Sequence, residues 1–292
     1  MGNKFGIALL VHLLFCDASL LLANSIFPVR GFDQVLSDRE ALERLESYRD
    51  YVASDLNKTT FHEAYSFLFR FRHMPRRGPD FFCTGSLSGP FLGNGCSRLE
   101  LDSSPHLEVE STYLFINQSN PEVWKKEPNL TQPIKLSAEE LFFPIVPGMN
   151  QSPFDLLMPF VFWEAKYHNS GRVAGRPSHV FHFPCPSWVR HLKPEWSYLT
   201  MALDHAYQAP LRVETFGNGY LPDKTFVLRS FKRIKSTWIV KAIDFKDRLS
   251  GSTTRFEITS AALDLDLEPS LFSPEGMMRS ISVNLESYEN LN

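Results

Sequence analysis

The sequence predicts an α+β protein built on a curved antiparallel sheet. Three observations predict it. The last third of the 292-residue chain is a run of short segments rich in β-branched and aromatic residues, broken by turn chemistry. An early stretch carries apolar residues at helical spacing behind a capping residue. Two further capping signatures stand in front of apolar stretches in the middle of the chain.

The chain opens on an export signal. Lys4 supplies a positive charge, residues 5–22 are nearly all apolar, and Ala23-Asn24-Ser25 offers small residues for cleavage, which is the pattern of a secretory signal peptide over 1–23. The alternative is an uncleaved membrane anchor, but His12, Asp17 and Ser19 interrupt its apolar run. Lipid attachment at Cys16 is disfavoured by Phe15, a bulky residue where bacterial lipoprotein processing takes a small one. Residues 24–274 read as one domain with a helical insertion at 137–165, and residues 275–292 as a tail that adds little to the core.

Residues 37–52 read as an amphipathic helix capped by Ser37 or Asp38, with Leu42, Leu45 and Tyr48 on the packed side. Tyr65, Phe67, Phe69 and Phe71 then alternate with Ser66 and Arg70, so they share one face of a half-buried strand. Residues 81–86, 97–101 and 113–116 are further strands, and the proline-bearing polar stretch 117–133 reads as an exposed loop. In the insertion, Ser137-Ala138-Glu139-Glu140 and Ser152-Pro153-Phe154-Asp155 are both helix starts. The second opens a segment, 154–163, that is apolar on every side and carries Pro159, which must kink or split it. Such a helix is buried all round, or lies against something apolar other than protein. Strands resume at 178–183 and continue through 199–204, 212–216, 225–231, 237–245 and 254–265. Gly217-Asn218-Gly219 and the stretches 233–236 and 247–251 turn the chain between them.

Composition narrows the function. With 43% hydrophobic residues and 25 Phe, the chain can fill a large core and still line a cavity. A net charge of −3 leaves no basic footprint for nucleic acid. Function must therefore come from shape and apolar surface. Beyond the leader, Cys83 and Cys96 flank a Gly/Ser/Pro-rich stretch that can fold back as a hairpin, so a disulfide between them is one reading. Three reduced, buried thiols, Cys185 included, is the other.

The later strands carry a family likeness. Gly175-Arg176-Pro177-Ser178-His179-Val180-Phe181 opens one strand and Leu203-Asp204 ends the next. Pro210-Leu211-Arg212-Val213-Glu214 leads to a glycine-containing turn. Phe231-Lys232-Arg233-Ile234, Trp238-Ile239-Val240 and Thr253-Thr254-Arg255-Phe256-Glu257-Ile258 follow, and Leu271-Phe272-Ser273-Pro274 closes the series. In order and spacing this stretch resembles the outer-membrane lipoprotein-sorting family, the LolA-like carriers and sensors of the periplasm; the N-terminal half matches it only in pattern. The resemblance implies a strongly curved antiparallel sheet, an incomplete β-barrel, with helices covering its open side. It further implies an exported periplasmic protein that buries acyl chains of lipoproteins or lipids and has no catalytic activity and no cofactor. A membrane-bound protein partner is the corresponding expectation for family members that act as envelope sensors.

On that basis Phe154, Leu157, Met158, Phe160, Val161 and Trp163 are the candidate lid, with Phe67, Phe69, Phe71, Leu199 and Met201 as candidate cavity lining. The competing reading of each is ordinary core. His179, His182 and Cys185 look superficially like metal ligands, but His179 and His182 fall on opposite strand faces and Pro184 and Pro186 flank the cysteine, so no metal site is expected. A metal-dependent hydrolase on those residues is the enzymatic rival. No Gly-x-Ser-x-Gly elbow is present. Asp204 and His205 are expected to diverge, and Arg255, Arg212 and Glu214 to form cross-strand ion pairs. Asn57, Asn117, Asn129 and Asn150 stand in Asn-x-Ser/Thr sequons.

Overall fold

The structure, a computed structural model, describes residues 16–17, 35–54, 63–104, 107 and 110–291. The readings for the leader (apart from Cys16–Asp17) and for Asn57 lie outside the described residues. The strands are β1 (Cys16–Asp17), β2 (Ala64–Met74), β3 (Phe81–Gly89), β4 (Cys96–Leu101), β5 (Ser111–Ile116), β6 (Glu122–Lys126), β7 (Ile134–Lys135), β8 (Lys166–Val173), β9 (Arg176–Pro184), β10 (Tyr198–Asp204), β11 (Pro210–Phe216), β12 (Lys224–Ile234), β13 (Thr237–Asp247), β14 (Ser252–Leu265) and β15 (Glu289–Asn290). The α-helices are α1 (Asp38–Val52), α2 (Pro153–Leu157) and α3 (Ser187–Leu192).

All the strands belong to one antiparallel sheet in the order β7-β6-β5-β4-β3-β2-β14-β13-β12-β11-β10-β9-β8, with β1 added on β13 and β15 on β14. Two meanders, β2 to β7 and β8 to β14, are thus fused by the pairing of β2 with β14, where Phe71 faces Phe256 and Phe69 faces Ile258. Among the described residues the sheet curves but does not close: β7 pairs only with β6 and β8 only with β9. The chain between these two edges is the 136–165 insertion, so the segment that joins the edges also spans the gap between them.

Alternation explains the concave face. Tyr65, Phe67, Phe69 and Phe71 are each at most 2% exposed and pack as a ladder of rings, Phe69 and Phe71 both reaching Phe256 with centroids 5.0 and 5.4 Å away. Gly85 sits opposite Phe69 on β3. A Cβ there would strike the Glu100 carbonyl and lie 2.9 Å from Phe69 Cζ, so the absent side chain is what admits the ring. Helix α1 starts at Ser37 with a formed capping box to Glu40, and buries Ala41, Leu45, Tyr48 and Val52.

Four expectations change. Residues 117–133 are not wholly loop: β6 lies within them, recruited by β5, with Val123 its one fully buried residue. Strand β8 and helix α3 carry too little apolar pattern to read; β8 has no buried residue and forms by pairing with β9 across Ala174–Gly175, both at positive φ as a type I′ hairpin turn requires. The tail contributes to the core. From the tail, Met277 packs with Phe272, Cys96, Leu114 and Ile116 on the face of β4–β5 away from the main core, and Leu291 is fully buried. Met277 stands in a short 3-10 turn and Leu291 just after the two-residue β15, which leaves no period to detect. Lastly, Arg255 pairs not with Arg212 or Glu214 but with Asp244, at 2.7 and 3.1 Å, directly across the β13–β14 ladder. Arg212 meets Glu214 at 3.8 Å along its own strand.

Replacing Gly85 by Ala is expected to destabilise the fold by about 1–3 kcal/mol, because a neighbouring backbone cannot yield as a flexible side chain would. A drop in the urea midpoint with an unchanged denaturant slope is the outcome to look for.

Candidate functional site

The insertion is built from two local signals. Ser137 and Glu140 do exchange hydrogen bonds, with Ser137 N donating to Glu140 Oε2 at 2.7 Å, yet only a single 3-10 turn, Glu140–Phe142, follows. Ser152 and Asp155 form a complete capping box with Pro153 in the first helical turn. Helix α2 then runs for one turn and stops at Met158, which takes a left-handed conformation (φ 47°, ψ 54°). Pro159 begins a separate 3-10 turn, Pro159–Phe162. The expected split is therefore present, and its cause is the proline: it lacks an N–H and disfavours helical geometry in the residue before it. A left-handed non-glycine residue costs on the order of 1–2 kcal/mol, which its neighbours must sustain.

This segment lies in the concave side of the sheet. Phe154, Leu157, Met158, Phe160 and Val161 are at most 2% exposed, while Trp163 is half-buried. The Phe154 ring stacks on Phe142 (4.8 Å) and meets Trp196 and Trp163, and Phe160 stands edge-on to Phe183 at 5.2 Å. Few polar ties hold it. Arg49 of α1 donates Nε to the Val161 carbonyl at 2.5 Å and Nη2 to that of Trp163. Asn117 donates to the Leu157 carbonyl at 3.0 Å, and Lys224 reaches Asp155 at 3.1 Å. Asn150, just before α2, is pinned by Thr254, the Phe245 carbonyl and Ser252. Next to it, both amide atoms of buried Gln151 lack a hydrogen-bond partner.

The dry hollow expected under residues 154–163 is nearly filled. Phe154, Met158 and Phe160 enclose, with Leu199, Phe226 and Phe245, a cavity of only about 30 Å³. That is one water's worth of space, against the roughly 300–1,000 Å³ of ordinary ligand pockets. The side chains of the insertion take up most of the hollow. Of the candidate residues, Phe154, Met158, Phe160 and Leu199 meet around this cavity. Phe67, Phe69, Phe71 and Met201 lie in the same core without lining it, and Leu157 and Val161 are wholly packed. Phe226 and Phe245, which sequence reasoning passed over, stand on strands it had located, directly opposite each other. Trp196 precedes its strand in a loop and gave no signal.

The other sequence candidates separate. Cys83 and Cys96 sit at opposite ends of the β3–β4 hairpin, in which Gly85 faces Leu101 and Ser88 faces Arg98, so the disulfide is not made; all three described thiols outside the leader are free and buried. Burial pushes the Cys83 and Cys185 thiols up to about 11 and Cys96 to about 12, which makes them poor nucleophiles. His182 stacks between His168 and Tyr198, whereas His179 points to the other face. His179 Nδ1 bonds Ser170 Oγ at 2.7 Å and its Nε2 lies 2.9 Å from His205 Nδ1, with Arg44 donating to the His205 carbonyl. Asp204 accepts from Arg176 at 2.6 Å and from the Ala206 and Tyr207 amides. Among the described residues no group of three His, Cys, Asp or Glu side chains could hold a metal ion. Asn117 and Asn150 are committed inside the fold, and Asn129 is the exposed sequon among the described residues.

An incomplete antiparallel barrel with an apolar segment laid along its concave side is an α+β architecture. Known structures share it. A DUF1329 family protein from Desulfovibrio piger is similar with a TM-score of 0.63 at 14% identity, over 82% of this chain and 98% of that one. A domain described as an outer-membrane lipoprotein-sorting protein from Vibrio parahaemolyticus is similar with a TM-score of 0.64 at 13% identity, over 83% of this chain and all of that one. A LolA superfamily protein from Nitrosomonas europaea reaches a TM-score of 0.57 at 14% identity, over 82% and 99% of the two chains. The fold is therefore LolA-like. No protein-family profile and no curated protein matches the sequence.

Two outcomes follow from the site. Arg49→Met leaves the Val161 and Trp163 carbonyls without their donor, at a cost of about 1–3 kcal/mol. Hydrogen exchange is expected to quicken across 159–163 while the β2–β14 ladder stays protected. The second concerns acid. Burial, then Arg44 and His205, depress His179 to about 4 from an ordinary 6.5. The unfolded chain thus binds more protons between those values, so stability falls as pH drops through that window. Urea midpoints should decline from neutral pH toward pH about 4.5, and His179→Gln should flatten the decline even though it lowers stability at neutral pH.

Proposed function

We propose that this is an exported, non-catalytic protein that binds acyl chains of lipids or lipoproteins in the periplasm, and that residues 153–163 are a plug that occupies the binding site until a chain replaces it. The observation that carries the reading is the plug itself. It is apolar on every side, broken at Met158–Pro159, and tied down by a handful of polar contacts. Exchanging it for an acyl chain leaves the buried apolar area nearly constant. At about 25 cal/mol per Å² removed from water, the two states then differ little in free energy, as reversible loading demands. Opening also lets water reach the orphaned Gln151 amide, which offsets part of what is lost. The fold shared with a lipoprotein-sorting domain supports the same substrate class.

The filled concave side favours a second reading, an envelope sensor that uses this fold to bind a protein partner without carrying lipid. A stable membrane-protein partner and no lipid uptake would favour the sensor. On the carrier reading, lipid co-purifies with the protein by mass spectrometry, and a fluorescent fatty acid is taken up, faster by Arg49→Met than by the parent. A lipid-free preparation together with no uptake by either form overturns it.

A further inference from the structure

A cleft of about 720 Å³ opens beside the plug, at the end of the sheet where the β2–β3 and β13–β14 hairpins turn. Its walls include His73, Arg76, Arg77, Asn150, Lys224 and Asp247. Asn150 and Lys224 also line the small cavity beneath Phe154 and Phe160, so the cleft stands at the threshold of the apolar interior.

The charges here do not balance locally. Asp80, on the same hairpin as the two arginines, is taken by Arg72 at 2.6 Å. The Asp247 carboxylate accepts from Ser250 N and Oγ at 2.7 and 2.9 Å, and Asp223 is paired with Arg248. Arg76 and Arg77 are exposed, and no carboxylate among the described residues pairs with either. Arg76 is also positioned: its side chain runs across Gly251, where a Cβ would come within 3.0 Å of Arg76 Cδ. Two unpaired guanidinium groups at the lip of a cleft suit an oxyanion, because each presents planar donors that match phosphate or carboxylate oxygens.

We infer that this cleft holds the anionic headgroup, phosphate or carboxylate, of the amphiphile whose tail displaces the plug. The inference rests on the acyl-binding reading and adds to it the sign of the headgroup and the residues that read it. The geometry also couples the two events. Lys224 lines the cleft and holds Asp155, and Asp155 is the carboxylate that caps α2 through Ser152. An oxyanion that competes for Lys224 loosens the start of the plug at the moment its tail needs entry.

The test compares three probes on the full chain: oleoyl lysophosphatidic acid, monooleoylglycerol and inorganic phosphate. Each is titrated against the parent protein and the Arg76→Gln/Arg77→Gln variant, whose changes fall on an exposed turn. The expected result is a preference of about tenfold or more for the anionic lipid over monooleoylglycerol, as charge-assisted contacts provide. The variant should lose that preference and keep its monooleoylglycerol affinity. Equal binding of the two lipids by the parent, or a preference that survives in the variant, overturns the headgroup site and leaves acyl binding intact. Arginine-dependent binding of inorganic phosphate with no binding of either lipid marks a free-anion site, and overturns both this inference and the carrier reading. Failure of all three probes to bind overturns both as well.

Discussion

The structure depends on one pairing. Strand β2, in the first third of the chain, and β14, near its end, form the long ladder that fuses two meanders into a single sheet. Joined at this seam, with the Phe69, Phe71 and Phe256 rings packed inside it and Gly85 clearing space behind Phe69, they make one curved surface. Because the seam is made by sequence-distant strands, the free edges fall mid-chain, at β7 and β8. The residues between those edges have no route except past the open side. The position of the insertion is a consequence of the seam.

That insertion then meets a conflict of demands. It must cover a large apolar surface, so it is itself apolar. It cannot be one long helix, because Pro159 stops it after a turn. Its backbone carbonyls therefore need outside donors, and Arg49 and Asn117 supply them from α1 and the end of β5. A segment secured by so few directional contacts, and otherwise by non-directional apolar packing, is suited to exchange with another apolar body. On the proposed function, the cleft next to it that holds Arg76, Arg77 and Lys224 would dock the polar end of such a body first.

Much of the fold was legible because a sheet with one wet face writes its pattern into the sequence. The Tyr65-Phe67-Phe69-Phe71 alternation, the capping residues Ser37 and Ser152, and the break at Pro159 are local signals with local causes. Strands β6 and β8 were not legible, since each is held by hydrogen bonds to a neighbour and buries almost nothing. Arg255 was expected to find Arg212 and Glu214, but it found Asp244, because a register places partners that spacing along the chain cannot. The candidate site was legible only in part. Phe154, Met158 and Phe160 were evident as an apolar run, while Phe226 and Phe245, which complete the enclosure, come from distant strands, and Trp196, which packs on Phe154, comes from a loop.

By itself the sequence determined which stretches alternate, which are capped, where a helix must break, and that apolar residues exceed what a minimal core needs. Those are properties of neighbours along the chain, set by pleat, pitch and the chemistry of proline. The tertiary structure alone decided that the hollow beneath residues 154–163 is filled by the protein's own side chains down to a cavity of about 30 Å³, since filling is a matter of volume summed over strands far apart. It also decided that Arg76, Arg77 and Lys224 share a cleft, because hairpin ends converge only once the sheet has curved.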